Sequence, residues 1–156
     1  MTANGRPALT AAVAPLPPGS PLEQELRLTL PSEISRIEEA VELVVQHVEP
    51  RFSAGHAIRF NLRVALTEAI CNAILYGSGG DPAKRVAVRV AWGATVVEME
   101  VADEGGGFDP GTLPDPTTPE RRRRVDGRGI FLIRHLVDEV RFNEKGNAVC
   151  MVLRRD

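Results

Sequence analysis

The strictest constraint on this chain is the order in which its hydrophobic spacing changes. Leu26, Leu28 and Leu30 alternate with Glu25, Arg27 and Thr29, the period of a strand with one buried face. Pro31 and Ser32 end that run, and Ser32 is placed to cap a helix. The spacing then switches to threes and fours at Ile34, Ile37, Val41, Val44 and Val48, until Pro50 closes the segment. A second helix is expected from about Ala57 to Tyr76, with Ile58, Leu62, Ala65 (or Leu66), Ala69 and Ala73 along one side and Gly77, Gly79 and Gly80 ending it. Period two returns at Val86, Val88 and Val90 and again at Val97, Met99 and Val101, with Gly93 and Ala94 turning the hairpin. A third helix is expected from about Gly129 to Asp138. Strands at Val140 and Phe142 and at Val149, Met151 and Leu153 follow, joined by a turn at Lys145, Gly146 and Asn147. Strand, two helices, hairpin, loop, helix, hairpin predicts an α+β protein. It would be a two-layer sandwich with helices on one face of a mostly antiparallel, mixed sheet.

Two stretches fall outside that pattern. Residues 1–22 hold five of the twelve prolines and no hydrophobic period, which reads as a disordered tail before a domain at 23–156. Residues 108–126 carry Pro110, Pro114, Pro116 and Pro119 and the run Arg121 to Arg124. A structureless loop of that length inside a compact domain is uncommon unless it is functional.

At 156 residues the chain suits one domain with its own core. A formal net charge of -2 and 4% aromatics argue against a general nucleic-acid binder. No apolar run reaches the ~20 residues of a membrane helix, and no secretory leader is legible, so a cytoplasmic protein is expected. Cys71 and Cys150 lie in apolar periodic segments and read as two buried, reduced thiols.

Three clusters carry candidate chemistry. Glu68 and Asn72 are four residues apart on the second helix and share a face. They are either a solvated face or a carboxylate and an amide looking into a cavity. An amide oxygen suits a hard cation such as Mg²⁺, and a carboxylate one turn earlier suits a general base. Asp103-Glu104-Gly105-Gly106-Gly107 follows a strand. It is either an ordinary glycine turn or a place where backbone closely approaches a ligand, with Asp103 accepting from an exocyclic amine. Gly127-Arg128-Gly129 opens the third helix, where free N–H groups favour an anion such as phosphate. His47, His56 and His135 have no metal-ligand spacing, and Trp92 reads as core.

The order and spacing of these clusters resemble the GHKL ATPase superfamily of gyrase, Hsp90, histidine kinases and MutL. Glu68 and Asn72 match its N box. Asp103, Gly105 and Gly107 match its first glycine box, and Gly127 and Gly129 its second. Within the superfamily the chain is most similar to the anti-sigma factor serine/threonine kinases, the SpoIIAB and RsbW types. The stretches Ala65-Leu66-Thr67-Glu68-Ala69 and Gly127-Arg128-Gly129-Ile130-Phe131-Leu132-Ile133 carry that likeness. The resemblance implies a Bergerat-type sandwich that binds ATP and Mg²⁺. Asn72 would hold the metal, Glu68 would be the catalytic base, and Asp103 would bind the adenine amine. Gly105 and Gly107 would shape the adenine pocket, residues 108–126 would be the ATP lid, and Gly127, Arg128 and Gly129 would bind phosphate.

The function so implied is phosphorylation of a serine on a STAS-domain antagonist, together with binding of a sigma factor or related target. Homodimerisation is an option; membrane and direct nucleic-acid partners are not expected. A non-catalytic, ATP-dependent protein-binding switch of the same fold is the alternative. The catalytic piece of a histidine kinase, and nucleic-acid binding through Arg121 to Arg124, rank lower.

Overall fold

Six strands form one sheet in the order β1-β2-β3-β4-β6-β5. They are β1 (Thr10–Pro15), β2 (Gln24–Pro31), β3 (Arg85–Trp92), β4 (Val96–Asp103), β5 (Glu139–Phe142) and β6 (Ala148–Arg154). The computed structural model describes residues 9–53, 55–77, 81, 83–105 and 132–155. A short 3-10 turn (Ile34–Arg36) leads into helix α1 (Ile37–Val48); helix α2 (His56–Asn72) runs straight into a π-helical turn (Ala73–Gly77). Residues 132–136 are helical. All five strand pairings are antiparallel, so the parallel pairing of a mixed sheet does not occur among the described residues. The α+β sandwich expected from the hydrophobic spacing is the architecture that forms.

Register explains the core. Leu26 pairs with Val90, Val90 with Met99, Met99 with Met151, and Met151 with Val140. The next row is Leu28, Val88, Val101, Val149 and Phe142. Side chains alternate along a strand, so both rows face the same way. Leu26, Leu28, Val88, Val90, Met99, Val101 and Met151 pack with the apolar stripes of α1 (Ala40, Val41, Val44, Val48) and α2 (Leu62, Leu66, Ala69, Ile70) in one buried cluster, with Val140 and Val149 partly buried against it. Trp92 belongs to that cluster, as expected. The opposite face carries charge: Arg89 bridges Glu25 and Glu98.

Two local expectations are corrected. Residues 1–22 are not wholly a disordered tail, because Thr10–Pro15 pairs along β2 from Thr10 opposite Thr29 to Pro15 opposite Gln24. Every side chain of β1 is exposed. The strand is held by main-chain hydrogen bonds, which need no hydrophobic alternation. Ser32 is not a helix cap. The residue at the N-cap is Glu33, with no side-chain cap, and the Ser32 hydroxyl is buried without a partner among the described residues.

The difference between core and edge is testable by urea unfolding. Met99→Ala, at a fully buried site, is expected to cost about 2–5 kcal/mol. Val13→Ser, on β1, should stay within about 0.5 kcal/mol.

Candidate nucleotide site

The third row of the sheet ends in a carboxylate. Leu30 pairs with Val86, and Val86 with Asp103. Asp103 therefore lies on the helix-covered face, two residues beyond Val101, where a further aliphatic residue would simply extend the core. Its backbone N–H donates to the Asn147 carbonyl at 2.9 Å, which ties the end of β4 to the β5–β6 turn. Gly146 in that turn has φ 73, a left-handed conformation that suits glycine.

The Asp103 side chain is fixed from two sides. Its Oδ1 accepts the Gly105 N–H at 2.6 Å. On the other side lies Gly77, the last residue of the π turn: a methyl carbon built there would come within 3.0 Å of the carboxyl carbon and both oxygens. A methyl carbon on Gly105 would likewise come within 3.0 Å of the Gly77 carbonyl. The end of α2 and the end of β4 thus meet backbone to backbone around one carboxylate. Burial pushes the Asp103 carboxyl above its ordinary 3.8, opposed by the Gly105 hydrogen bond and by the charge of Lys84.

Asn72 stands one π turn before Gly77, at the margin of the buried stripe of α2. Both its side-chain Oδ1 and Nδ2 are buried and have no hydrogen-bond partner among the described residues. An unpaired buried amide costs about 1–3 kcal/mol, so this orphan is the strongest mark of a ligand position in the described structure. Its oxygen is the kind of donor Mg²⁺ takes. The absence of any three-residue His, Cys, Asp or Glu group among the described residues is compatible with that, because Mg²⁺ is held by one or two protein ligands with phosphates and waters. Glu68 lies one turn earlier and is half-buried. The turn of π helix directly after Asn72 is itself a feature frequent at functional sites.

The structure therefore brings Asp103 and Gly105 against Gly77, while Glu68 and Asn72 lie on α2, the helix that runs into that π turn. Gly107, Gly127, Arg128 and Gly129, and the expected lid at 108–126, lie outside the described residues. Cys71 and Cys150 are free and half-buried rather than fully buried. Burial, with Glu68 nearby, pushes the Cys71 thiol up; burial, with Glu98 nearby, does the same for Cys150. Neither is poised as a thiolate nucleophile. Two further residues stand beside Asp103. Gly77 looked like a plain helix stop, and Asn147, whose Nδ2 reaches the Gly105 carbonyl at 3.4 Å, looked like a plain turn residue. The β5–β6 turn brings Asn147 to Asp103, and the end of α2 set against β4 brings Gly77 there.

An α+β sandwich with an orphaned amide on the helix that ends against a half-buried strand-end aspartate is the setting in which the comparisons fall. The family model for the histidine kinase-like ATPase domain matches residues 30–153, and the chain belongs to that family, in its anti-sigma serine-kinase branch. It is 33% identical to the serine-protein kinase RsbW of Bacillus subtilis over 118 residues, covering 71% of this chain and 74% of the relative. Similarity to the serine-protein kinase RsbW of Oceanobacillus iheyensis is 28% over 116 residues, covering 70% and 73%. No helix among the described residues is long and apolar enough to cross a membrane.

The raised Asp103 value has a sign that can be checked. A carboxyl raised in the folded chain costs stability where it is ionised, and that cost vanishes below its unfolded value of 3.8. Asp103→Asn keeps an acceptor for Gly105 and loses the charge. It is expected to melt above the parent at neutral pH, with the gap closing as pH falls through the raised value. Thermal melts across that range check it.

Proposed function

We propose that the domain binds Mg-ATP at the Asn72–Asp103 end and transfers the γ-phosphoryl group to a serine of a STAS-domain antagonist. The observation that carries this reading is Asn72: two buried polar atoms without a partner, one helical turn from a carboxylate. Asp103, holding one oxygen on Gly105, has a second oxygen for the adenine amine. Glu68 would take the proton of the serine hydroxyl as its oxygen attacks the γ-phosphorus and the bond to ADP breaks. Asn72 would hold Mg²⁺ through its side-chain oxygen, and the ion would supply positive charge against the phosphates. Gly107, Gly127, Arg128 and Gly129 would complete the base and phosphate contacts, with 108–126 closing as a lid. Phosphoryl transfer depends mainly on such positioning and charge neutralisation. In the same reading the domain, when not phosphorylating its antagonist, binds a sigma factor or related target in the cytoplasm.

Mixing the protein with Mg-ATP and STAS-domain proteins of its genome tests this. Glu68→Ala is expected to lower phosphate transfer by about 10²–10⁴-fold while ATP still binds; transfer at the parent rate would remove Glu68 as the base. Asn72→Ala should abolish the Mg²⁺ dependence of ATP binding measured by calorimetry. ATP and partner binding without any transfer in the parent protein would instead favour the non-catalytic switch.

A further inference from the structure

We infer that Gly77 is a positioning residue for base recognition: its missing side chain is the space that lets the Asp103 carboxylate stand where it meets the nucleotide. The inference rests on the reading of Asp103 as the adenine contact. It adds a residue that belongs to none of the three clusters found in the sequence.

The geometry is specific. Gly77 ends the π turn, and its φ is not in the left-handed region, so alanine could adopt its backbone. What alanine could not do is fit. The three heavy atoms nearest to an added methyl carbon are all in the Asp103 carboxyl group, and each falls within 3.0 Å. Asp103 has little room to yield by moving away. Its Oδ1 is held by the Gly105 N–H at 2.6 Å, its own N–H is held by Asn147, and Gly105 is pressed against the Gly77 carbonyl. A methyl group at 77 therefore either rotates the carboxylate off the Gly105 N–H or forces the π turn away from β4. Both displace the acceptor that would select an amine over a carbonyl on a purine ring.

The π turn explains why this contact exists. An α-helix continued through residue 77 would present a different residue to β4. The wider turn after Asn72 brings a glycine there instead. The same turn thus ends with the Asn72 amide at one limit and Gly77 under Asp103 at the other.

The test is nucleotide selectivity with a mutational cycle. ATP and ITP, which replaces the exocyclic amine with a carbonyl, are titrated by calorimetry into the full chain and into Gly77→Ala. The parent is expected to prefer ATP by about tenfold or more, because a site built to accept from a donor rejects the analogue lacking it. Gly77→Ala should lose that preference, ATP falling to the ITP level while ITP changes little. Thermal melts of Gly77→Ala, Asp103→Ala and the double variant form the second arm. If the methyl acts through the carboxylate, Asp103→Ala relieves most of the melting drop caused by Gly77→Ala. The inference is overturned if Gly77→Ala keeps the ATP preference, or if the variant is unstable and Asp103→Ala does not relieve it. A parent that binds ATP and ITP equally would refute the adenine role of Asp103, and the role of Gly77 with it.

Discussion

The packing of the second helix across the sheet is the interaction on which everything else depends. Leu62, Leu66, Ala69 and Ile70 join the valines and methionines of β3, β4 and β6 in one buried cluster. That packing sets the height at which α2 ends. Because it ends level with Asp103, the last turn meets the strand end rather than overrunning it. The small residues Ala65, Ala69 and Ala73 are buried here and let the helix lie close to the sheet. Larger residues there would lift its end, and with it Gly77, away from the carboxylate.

Folding pressure and site chemistry oppose each other at this end. A core-facing position at the tip of β4 would be most stable as an aliphatic residue; it is an aspartate whose ionisation burial disfavours. The margin of α2 would be most stable without an unpaired amide; it holds Asn72 with both polar atoms orphaned. The domain tolerates both because its larger rows are complete. Leu26, Leu30, Val86, Val90, Met99 and Met151 are fully buried, and the helices above them are continuous with that core. A ligand that supplies an amine to Asp103, and to Asn72 a cation for its oxygen and an acceptor for its Nδ2–H, would relieve both costs at once.

Much of this was legible in residue spacing, and the failures have physical reasons. Period two in β3 and β4 extends to Asp103 and already implies that its side chain points toward the helices. The i,i+4 spacing puts Glu68 and Asn72 on one face without structure. Strand β1 was illegible because it rests on backbone pairing, with all its side chains exposed. The π turn was illegible too, since a wider hydrogen-bond pattern over five residues leaves no separate hydrophobic period. Gly77 therefore read as a stop signal, and its contact with a residue twenty-six positions later appears only once α2 and β4 are set side by side. Ser32 misled for the opposite reason: its position matched a cap, but its backbone bonds to Lys84 and its hydroxyl turns inward.

The most direct measurement is a two-dimensional NMR titration of the labelled chain with Mg-ATP, following side-chain amides as well as backbone N–H groups. The account predicts that the Asn72 side-chain amide and the Gly77 and Gly105 N–H signals shift together, saturating at one common nucleotide concentration, while β1 signals stay in place. Saturable shifts that leave Asn72, Gly77 and Gly105 unmoved would contradict it, and would place the nucleotide elsewhere on the domain.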